Sequence, residues 1–207
     1  MTTQAYHKGN VREDLIAAAE QILQEEGLAA LSVRRVAREI GVVPSAVYNH
    51  FKNREALLAA VAADGYHHIE KLVGKLEGNT TEPELLLRQL ARGYLQFAAA
   101  NPNLYRLMFS AEVVAIRIHP ELELASDSTF GRLADWWYGP GSFDPQASAV
   151  EYPYALSIWS LVHGAAMQMI DGLVAVDMKR KPSINKLADA VVGVLIKGVR
   201  EALPKNT

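Results

Sequence analysis

The stretch Ser32-Val-Arg-Arg-Val-Ala-Arg-Glu-Ile-Gly-Val-Val-Pro-Ser-Ala-Val-Tyr-Asn-His-Phe51 predicts two short helices joined by a tight turn. The apolar residues of its first half follow the i, i+3, i+4, i+7 spacing of a helix with one buried stripe: Val33, Val36, Ala37 and Ile40. Ser32 can cap the start of this helix, and Gly41 can end it in a left-handed conformation. Because Pro44 favours the first turn of a second helix, the stretch is typical of a helix-turn-helix.

The second predicted helix, about residues 44–51, turns Val47 and Phe51 inward. The small and polar residues on its outer side are Ser45, Ala46, Tyr48 and Asn49. Such a surface suits the major groove of double-stranded DNA, where side chains reach base edges.

The local charge around the motif also supports DNA binding. Residues 32–54 hold five basic residues and one acid, a net charge of +4, whereas the whole chain carries −2. We expect most of the five to neutralise phosphates, with Lys8 and Arg12 as a candidate extension: Arg34, Arg35, Arg38, Lys52 and Arg54.

Together with residues 52–58, this stretch resembles the TetR family of transcriptional regulators. The matching positions are Ser32, Val36-Ala37, Gly41-Val42, Ala46-Val47-Tyr48-Asn49-His50-Phe51 and Lys52-Asn53-Arg54-Glu55-Ala56-Leu57-Leu58. The resemblance implies phosphate contacts by Ser32, Tyr48 and His50, and it places the base-reading residues among Pro44, Ser45, Ala46 and Asn49. Two positions depart from the family pattern. Val43 stands where a capping Ser or Thr is usual, and Arg54, which we still expect to hold a phosphate, replaces a Lys.

Composition excludes several other classes of protein. The 207 residues include no cysteine, which removes disulfides, thiolate nucleophiles and cysteine metal ligands. No apolar run approaches the length of a membrane span and the N-terminus lacks the apolar segment of a signal peptide, so we expect a soluble cytoplasmic protein without membrane contact. Two clusters could each be part of a metal site, but neither has the required number and spacing of ligands: Asp64 with His67 or His68, and His119 with Glu121 and Glu123. We expect solvated helix faces, with no metal and no cofactor.

The rest of the chain reads as helices, which predicts an all-α fold with a three-helix head domain and a larger helical body. We assign residues 8–54 to a DNA-binding domain, with its motif at 32–51, and residues 55–207 to a ligand-binding and dimerisation domain. The first helix is expected from Asn10 to Gly27, and the fourth from Asn53, whose side chain can cap it, to about Leu76. Further helices are expected at about 83–100, 102–115, 120–138, 146–172 and 184–202, and the clearest loop at 138–145.

Two short segments of the body, 101–109 and Trp159–Gly164, resemble a TetR subgroup with a Trp…His-Gly signature. In that subgroup the body binds an effector and forms the dimer. The candidate ligand-binding residues are largely aromatic: Tyr94, Phe97, Tyr105, Phe109, Trp137, Trp159, His163 and Met167. Ligand pockets are mostly apolar with a few polar groups, but aromatic residues at helical spacing are equally typical of an ordinary core. His163 could bind a ligand or be a core histidine with a partner inside the protein.

An apolar stripe runs along the last predicted helix and can pack within one subunit or against a symmetry mate: Ile184, Leu187, Val191, Val194, Leu195, Gly198 and Ala202. The resemblance favours a homodimer built from the last two helices, whose two head domains would fit palindromic half-sites about 34–36 Å apart. We therefore expect a non-enzymatic, homodimeric repressor that an unknown small hydrophobic effector releases from its operator. Two alternatives are an enzyme using His163 and Asp171, and a DNA-binding dimer without an effector.

Overall fold

The computed structural model describes residues 11–77, 82–115 and 119–199, and every regular element in these ranges is helical. The α-helices are α1 Val11–Glu26, α2 Val33–Glu39, α3 Pro44–Tyr48, α4 Arg54–Glu77, α5 Pro83–Ala100, α6 Pro102–Met108, α7 Ala111–Ala115, α8 Pro120–Tyr138, α9 Pro153–Ile170 and α10 Lys181–Val199. Short 3-10 helices occupy Leu28–Ala30 and Ala149–Glu151. The predicted all-α class is confirmed. None of the described helices combines the length and apolarity needed to cross a membrane.

The described residues form two compact units. The first unit contains residues 11–65, 103–115 and 119–124, and the second contains residues 66–77, 82–102 and 125–199. The helix-turn-helix thus shares a unit with α6 and α7, although the sequence places those helices in the body. The functional boundary after Arg54 stays a prediction.

Local capping signals shape the first unit. The Arg35 backbone N–H donates to Ser32 Oγ at 3.2 Å, so Ser32 caps α2 as predicted. Gly41 ends that helix with a φ of +72°, a conformation that costs a glycine little. The Ala56 N–H donates to Asn53 Oδ1 at 2.8 Å, which confirms the cap expected at the start of α4. Below these caps α1, α2, α3 and α4 share an apolar core that includes Leu15, Ile22, Val36, Val47, Phe51, Leu57 and Val61.

In the second unit α5, α9 and α10 pack together. α10 buries a stripe of four residues spaced four apart: Ile184, Ala188, Val192 and Ile196. The inward residues of α5 are Leu86, Leu87, Ala91, Leu95 and Ala98. Only Ile184 belongs to both the buried stripe and the apolar stripe noted in the sequence. The other described members of that sequence stripe lie at partly or fully exposed positions of α10.

Several predicted helix boundaries need correction. The expected helix at 102–115 is two helices, because the chain turns at Ser110, whose hydroxyl donates to the Leu107 carbonyl and accepts the Val113 N–H. The helix expected from residue 146 begins at Pro153, where a missing N–H costs no hydrogen bond. The recognition helix ends at Tyr48 and α10 begins earlier than predicted, at Lys181. The predicted start at Asn10 and the end at residue 202 lie outside the described residues.

Candidate nucleic-acid interface and aromatic cluster

The short helix α3 has a polar outer side, and its inner side is buried. Val47 is fully buried and Phe51 is 2% exposed, and these two side chains anchor the helix to the core of the first unit. The Val42 N–H donates to the Ala37 carbonyl at 2.9 Å and closes the turn before α3. The predicted DNA-contacting residues of this segment lie outward: Pro44, Ser45, Tyr48, Asn49 and His50 are exposed and Ala46 is half-buried. Their surface can therefore meet a base edge or a phosphate without rearrangement.

Val43 occupies the N-cap position of α3, but its side chain makes no hydrogen bond to the helix. Its departure from the family pattern led us to expect this. Its side chain is 65% exposed. The helix relies instead on Pro44, which lies in its first turn and has no N–H to satisfy. The start of the recognition helix is thus held by the turn geometry rather than by a side chain.

The five basic residues of segment 32–54 fall into two groups. Arg34, Arg38 and Lys52 are exposed, and among the described residues no carboxylate lies within ion-pair distance of any of them. Their charges can attract phosphates at no cost in broken ion pairs. We call these three residues the unpaired cations.

Arg35 and Arg54 form the second group. Arg35 donates to Glu26 Oε1 at 2.6 Å and to Glu39, and hydrogen bonds to these carboxylates, Glu26 first, raise the pKa of its guanidinium. Arg54 Nε donates to the Leu31 carbonyl at 3.0 Å, and its Nη1 binds Glu112 of α7. The sequence could not reveal the pairings with Glu26 and Glu112, because both acids lie outside the motif. Phosphate contacts by Arg35 and Arg54 stay predictions.

Two further charged contacts belong to the first unit. Arg12 of α1 pairs with Glu121, and its guanidinium carbon lies 5.3 Å from the centre of the Phe51 ring. Glu20 of α1 lies against Asp64 of α4. Burial, and then the charge and hydrogen bond of Asp64, raise the pKa of Glu20 from 4.5 to about 8. Glu20 therefore holds a proton at neutral pH, which keeps two carboxylates from repelling each other in a partly buried place.

The predicted ligand-binding residues divide between the two units. Tyr105 is fully buried in the first unit, where its ring lies 5.0 Å from that of Phe109. The other six belong to the second unit: Tyr94, Phe97, Trp137, Trp159, His163 and Met167. Within that unit the Phe97 ring contacts the His68 ring at 6.3 Å. Tyr94 and Met167 are half-buried.

An aromatic cluster in the second unit includes residues that the sequence reading missed. Trp159 stacks on His163 at 5.5 Å, and the Phe130 ring lies edge-on to Trp159 at 6.2 Å. Trp137 stacks on Tyr154 at 4.8 Å. The remaining ring contacts join these two pairs through Phe130, Tyr138, Phe143, Tyr152 and Tyr154. The available signal was the density of aromatic residues on both sides of the predicted loop at 138–145. We call this set, with Trp137, Trp159 and His163, the aromatic cluster.

His163 is the titratable group of the aromatic cluster nearest neutral pH. Burial lowers its pKa below the ordinary value of 6.5, so its imidazole is neutral at pH 7 and can both donate and accept a hydrogen bond. Asp171 is exposed and ends α9 at its C-cap. It follows His163 by eight positions, which is about 12 Å along a helix axis. At that separation along the helix, His163 and Asp171 are too far apart to share a hydrogen bond directly.

The comparisons with known proteins agree with this architecture. The sequence model described as "Bacterial regulatory proteins, tetR family" matches residues 15–61, and the "Tetracyclin repressor-like, C-terminal domain" model matches residues 87–195. A Rhodococcus sp. RHA1 protein of unknown function is 25% identical, with a TM-score of 0.63, and the match covers 94% of this chain and 98% of that one.

Two more solved structures share the fold at lower identity. A Rhodococcus sp. RHA1 transcriptional regulator is 21% identical, with a TM-score of 0.66 and coverage of 90% and 96% of the two chains. FadR from Bacillus subtilis, solved in complex with stearoyl-CoA, is 14% identical, with a TM-score of 0.58 and coverage of 90% and 98%. Because the two family models together match most of the sequence, from the helix-turn-helix to α10, the chain belongs to the TetR family of DNA-binding transcriptional regulators.

Proposed function

We propose that this regulator is a homodimeric repressor that leaves a palindromic operator when a small hydrophobic effector binds to its aromatic cluster. The observation that carries the DNA-binding part is the polar outer surface of α3, flanked by the unpaired cations Arg34, Arg38 and Lys52. In this proposal Ser45 and Asn49 read base edges, while Tyr48, His50 and the unpaired cations hold phosphates.

Exposed apolar residues on α9 and α10 support the homodimer. Val194 is 73% exposed and Leu161 is 38% exposed, although both lie in the middle of long helices. Gly164 and Gly198 lie on the same exposed sides, and a Cβ at either position would meet nothing within 4 Å in the chain. Among the described residues, no other helix of the same subunit therefore approaches Gly164 closely. A second copy of α9 and α10 could approach there and cover both apolar side chains.

Replacement of Val194 tests this interface. We expect Val194→Glu to produce monomers in light scattering coupled to size-exclusion chromatography, because two buried carboxylates would face each other across a two-fold axis. Val150→Glu is the matched control, since Val150 is 69% exposed but lies outside α9 and α10. A Val194→Glu protein that remains dimeric would contradict the proposed interface.

The chemistry of the aromatic cluster supports a hydrophobic effector with a polar group. Its rings offer apolar contacts, and the neutral imidazole of His163 offers one donor and one acceptor. The fold relative FadR from Bacillus subtilis was solved with stearoyl-CoA, a ligand of that general kind. By linkage, an effector that weakens operator binding must itself bind more weakly to the DNA-bound protein, by the same factor.

The decisive experiment selects bound sequences from a random pool of double-stranded DNA. We expect enrichment of a palindrome whose half-sites lie about one or two helical turns apart. The enriched duplex is then titrated with protein in the presence and absence of stearoyl-CoA and of a short-chain acyl-CoA. Loss of DNA affinity with the long chain, prevented by Trp159→Ala, would support the effector site. Failure of any sequence to enrich at low salt would overturn the proposal.

Two other results would redirect the proposal. A selected operator whose affinity responds to no ligand in a broad thermal-shift screen would favour a DNA-binding dimer without an effector. Turnover of a bound ligand that is abolished by His163→Ala would favour an enzyme.

A further inference from the structure

Glu112 lies in α7, far from the helix-turn-helix in sequence, yet it contacts Arg54, one of the five basic residues of segment 32–54. We propose that Glu112 lowers the affinity of the protein for DNA, because its carboxylate binds the Arg54 guanidinium where a DNA phosphate would otherwise bind. The inference rests on the DNA-binding function and adds a positioning residue to it. It is carried by the contacts of Arg54 within the first unit.

The guanidinium of Arg54 is held beside the start of α2. Its Nε donates to the Leu31 carbonyl at 3.0 Å, and Leu31 directly precedes Ser32, the cap of α2. In sequence Arg54 follows the exposed Lys52 by two residues, at the first position of α4. The side chain is 34% exposed, so a phosphate near Ser32 and Lys52 could reach its outer nitrogens. Glu112 binds one of these, Nη1.

The backbone that carries Glu112 is fixed from both sides. Ser110 Oγ accepts the Val113 N–H at 3.2 Å and starts α7, while the Val113 side chain is 1% exposed and anchors the helix in the core. Residue 112 is therefore presented at a defined place.

The preceding helix, α6, also makes contacts with α1 and α4. Asn103 Nδ2 donates to the Leu23 carbonyl of α1 at 2.9 Å. A Cβ on Gly65 would lie 2.5 Å from Met108 Sδ, so α6 packs directly on α4 within the first unit. Segment 103–115 thus behaves as part of the DNA-binding unit, although it falls within the range of the C-terminal family model.

The consequence for DNA binding follows from charge. A guanidinium that already holds a carboxylate gains little by approaching a phosphate, because the phosphate must displace the carboxylate. Carboxylate and phosphate oxygens bind the same planar N–H fork, so the two anions compete for one site. Glu112 therefore withholds one positive charge from the DNA, and any movement of α7 that separates the pair restores it.

The test is a double-mutant cycle between Glu112→Gln and Arg54→Gln in the full-length protein. Affinity for a labelled random-sequence duplex is measured by fluorescence anisotropy over a series of salt concentrations. Non-specific binding is suitable because it depends almost wholly on phosphate neutralisation. Glu84→Gln is the matched control, since Glu84 is 38% exposed like Glu112 and pairs with Arg88 in the second unit. Melting temperatures of all variants check that each is folded, and Glu112→Ala replaces Glu112→Gln if that variant is not.

We expect Glu112→Gln to bind DNA more tightly and to steepen the slope of log affinity against log salt by about 0.9 per head. With this difference in slope, each tenfold fall in salt concentration strengthens DNA binding by the variant about eightfold more, per head, than binding by the wild type. In the Arg54→Gln background Glu112→Gln should have no effect, and Glu84→Gln should match the wild type.

Unchanged or weaker binding by Glu112→Gln, with the wild type binding DNA normally, would overturn this inference alone. Absence of DNA binding by the wild type at low salt would instead overturn the DNA-binding function on which it rests.

Discussion

Arg92 of α5 and Asp189 of α10 form an ion pair with two hydrogen bonds, Nε to Oδ1 at 2.8 Å and Nη2 to Oδ2 at 2.7 Å. One turn further along α5, Gln96 donates to Asn185 Oδ1 at 2.7 Å, one turn earlier along α10. The two contacts repeat at four-residue spacing in opposite directions. They therefore fix α5 and α10 as antiparallel neighbours in one register, which the apolar contacts between the helices do not specify by themselves.

We expect Arg92→Ala and Asp189→Ala each to lower the free energy of unfolding by about 1 kcal/mol. The two side chains remain 38% and 32% exposed, so solvent screening keeps the value below that of a buried pair. Urea denaturation at fixed protein concentration measures both variants and the double mutant. Glu84→Ala is the control, because its pair with Arg88 is an ordinary contact within one helix. Strict additivity of the two substitutions would contradict a direct interaction.

Gly131 of α8 leaves room for the ring of Phe143, and its replacement tests the aromatic cluster. A Cβ at this position would lie 2.5 Å from Phe143 Cδ1. The ring cannot easily withdraw, because the Phe143 N–H donates to Asp135 Oδ1 at 2.9 Å. We expect Gly131→Ala to destabilise the protein by about 1–3 kcal/mol, as overpacking does, with an accompanying change in tryptophan fluorescence.

Gly74→Ala is the matched control for that substitution. Gly74 is also helical, and its added Cβ would approach only the flexible end of Arg132, at 3.6 Å. There we expect a gain of about 0.5–1 kcal/mol from the helix preference of alanine. A stable Gly131→Ala protein would mean that the 138–145 loop repacks freely.

The features that the sequence predicted well depend on neighbouring residues. Ser32, Gly41 and Asn53 each act within a few positions of their partners, so their capping roles could be predicted from local chemistry alone. The apolar spacing of α2 also needs no knowledge of the partner helix. The family resemblance then supplied the expected roles of the exposed residues on α3.

The features that escaped prediction depend on residues distant in sequence. Nothing near Arg54 indicates that residue 112 lies opposite it, and nothing near Gly131 indicates the ring of Phe143. The division at Ser110 was missed because an apolar run on both sides imitates one continuous helix. The pairings of Arg35 with Glu26 and of Arg54 with Glu112 were missed because both carboxylates lie outside residues 32–54.

The carboxyl pair of Glu20 and Asp64 predicts a stability that falls as pH rises. The pKa of Glu20 is about 8 in the folded protein and 4.5 in a model peptide, so the folded state retains a proton that the unfolded state releases between these values. The stabilisation from this proton is fully present below the unfolded pKa and is lost as pH rises through about 8.

Glu20→Gln should remove this pH dependence, because an amide does not titrate. Urea denaturation at mildly acidic and mildly alkaline pH measures the change: wild type should lose stability relative to Glu20→Gln as pH rises. Glu25→Gln is the control on the same helix, since Glu25 is exposed and bonds only to Gln21 among the described residues. Parallel pH profiles for wild type and Glu20→Gln would exclude a raised pKa.

Arg34 and Arg35 are neighbours in sequence, but we expect their removal to affect DNA binding differently. Arg34 is exposed and unpaired among the described residues, so Arg34→Gln should lower the slope of log affinity against log salt by about 0.9 per head. Arg35 already holds Glu26 and Glu39 and joins the end of α1 to α2. Arg35→Gln should therefore weaken DNA binding and lower the melting temperature, while the slope of log affinity against log salt stays that of the wild type.

Anisotropy titrations with a random-sequence duplex across salt concentrations distinguish the two cases, and Arg38→Gln should behave as Arg34→Gln does. An equal loss of slope in Arg35→Gln would show that DNA displaces both carboxylates, and that Arg35 contacts a phosphate directly.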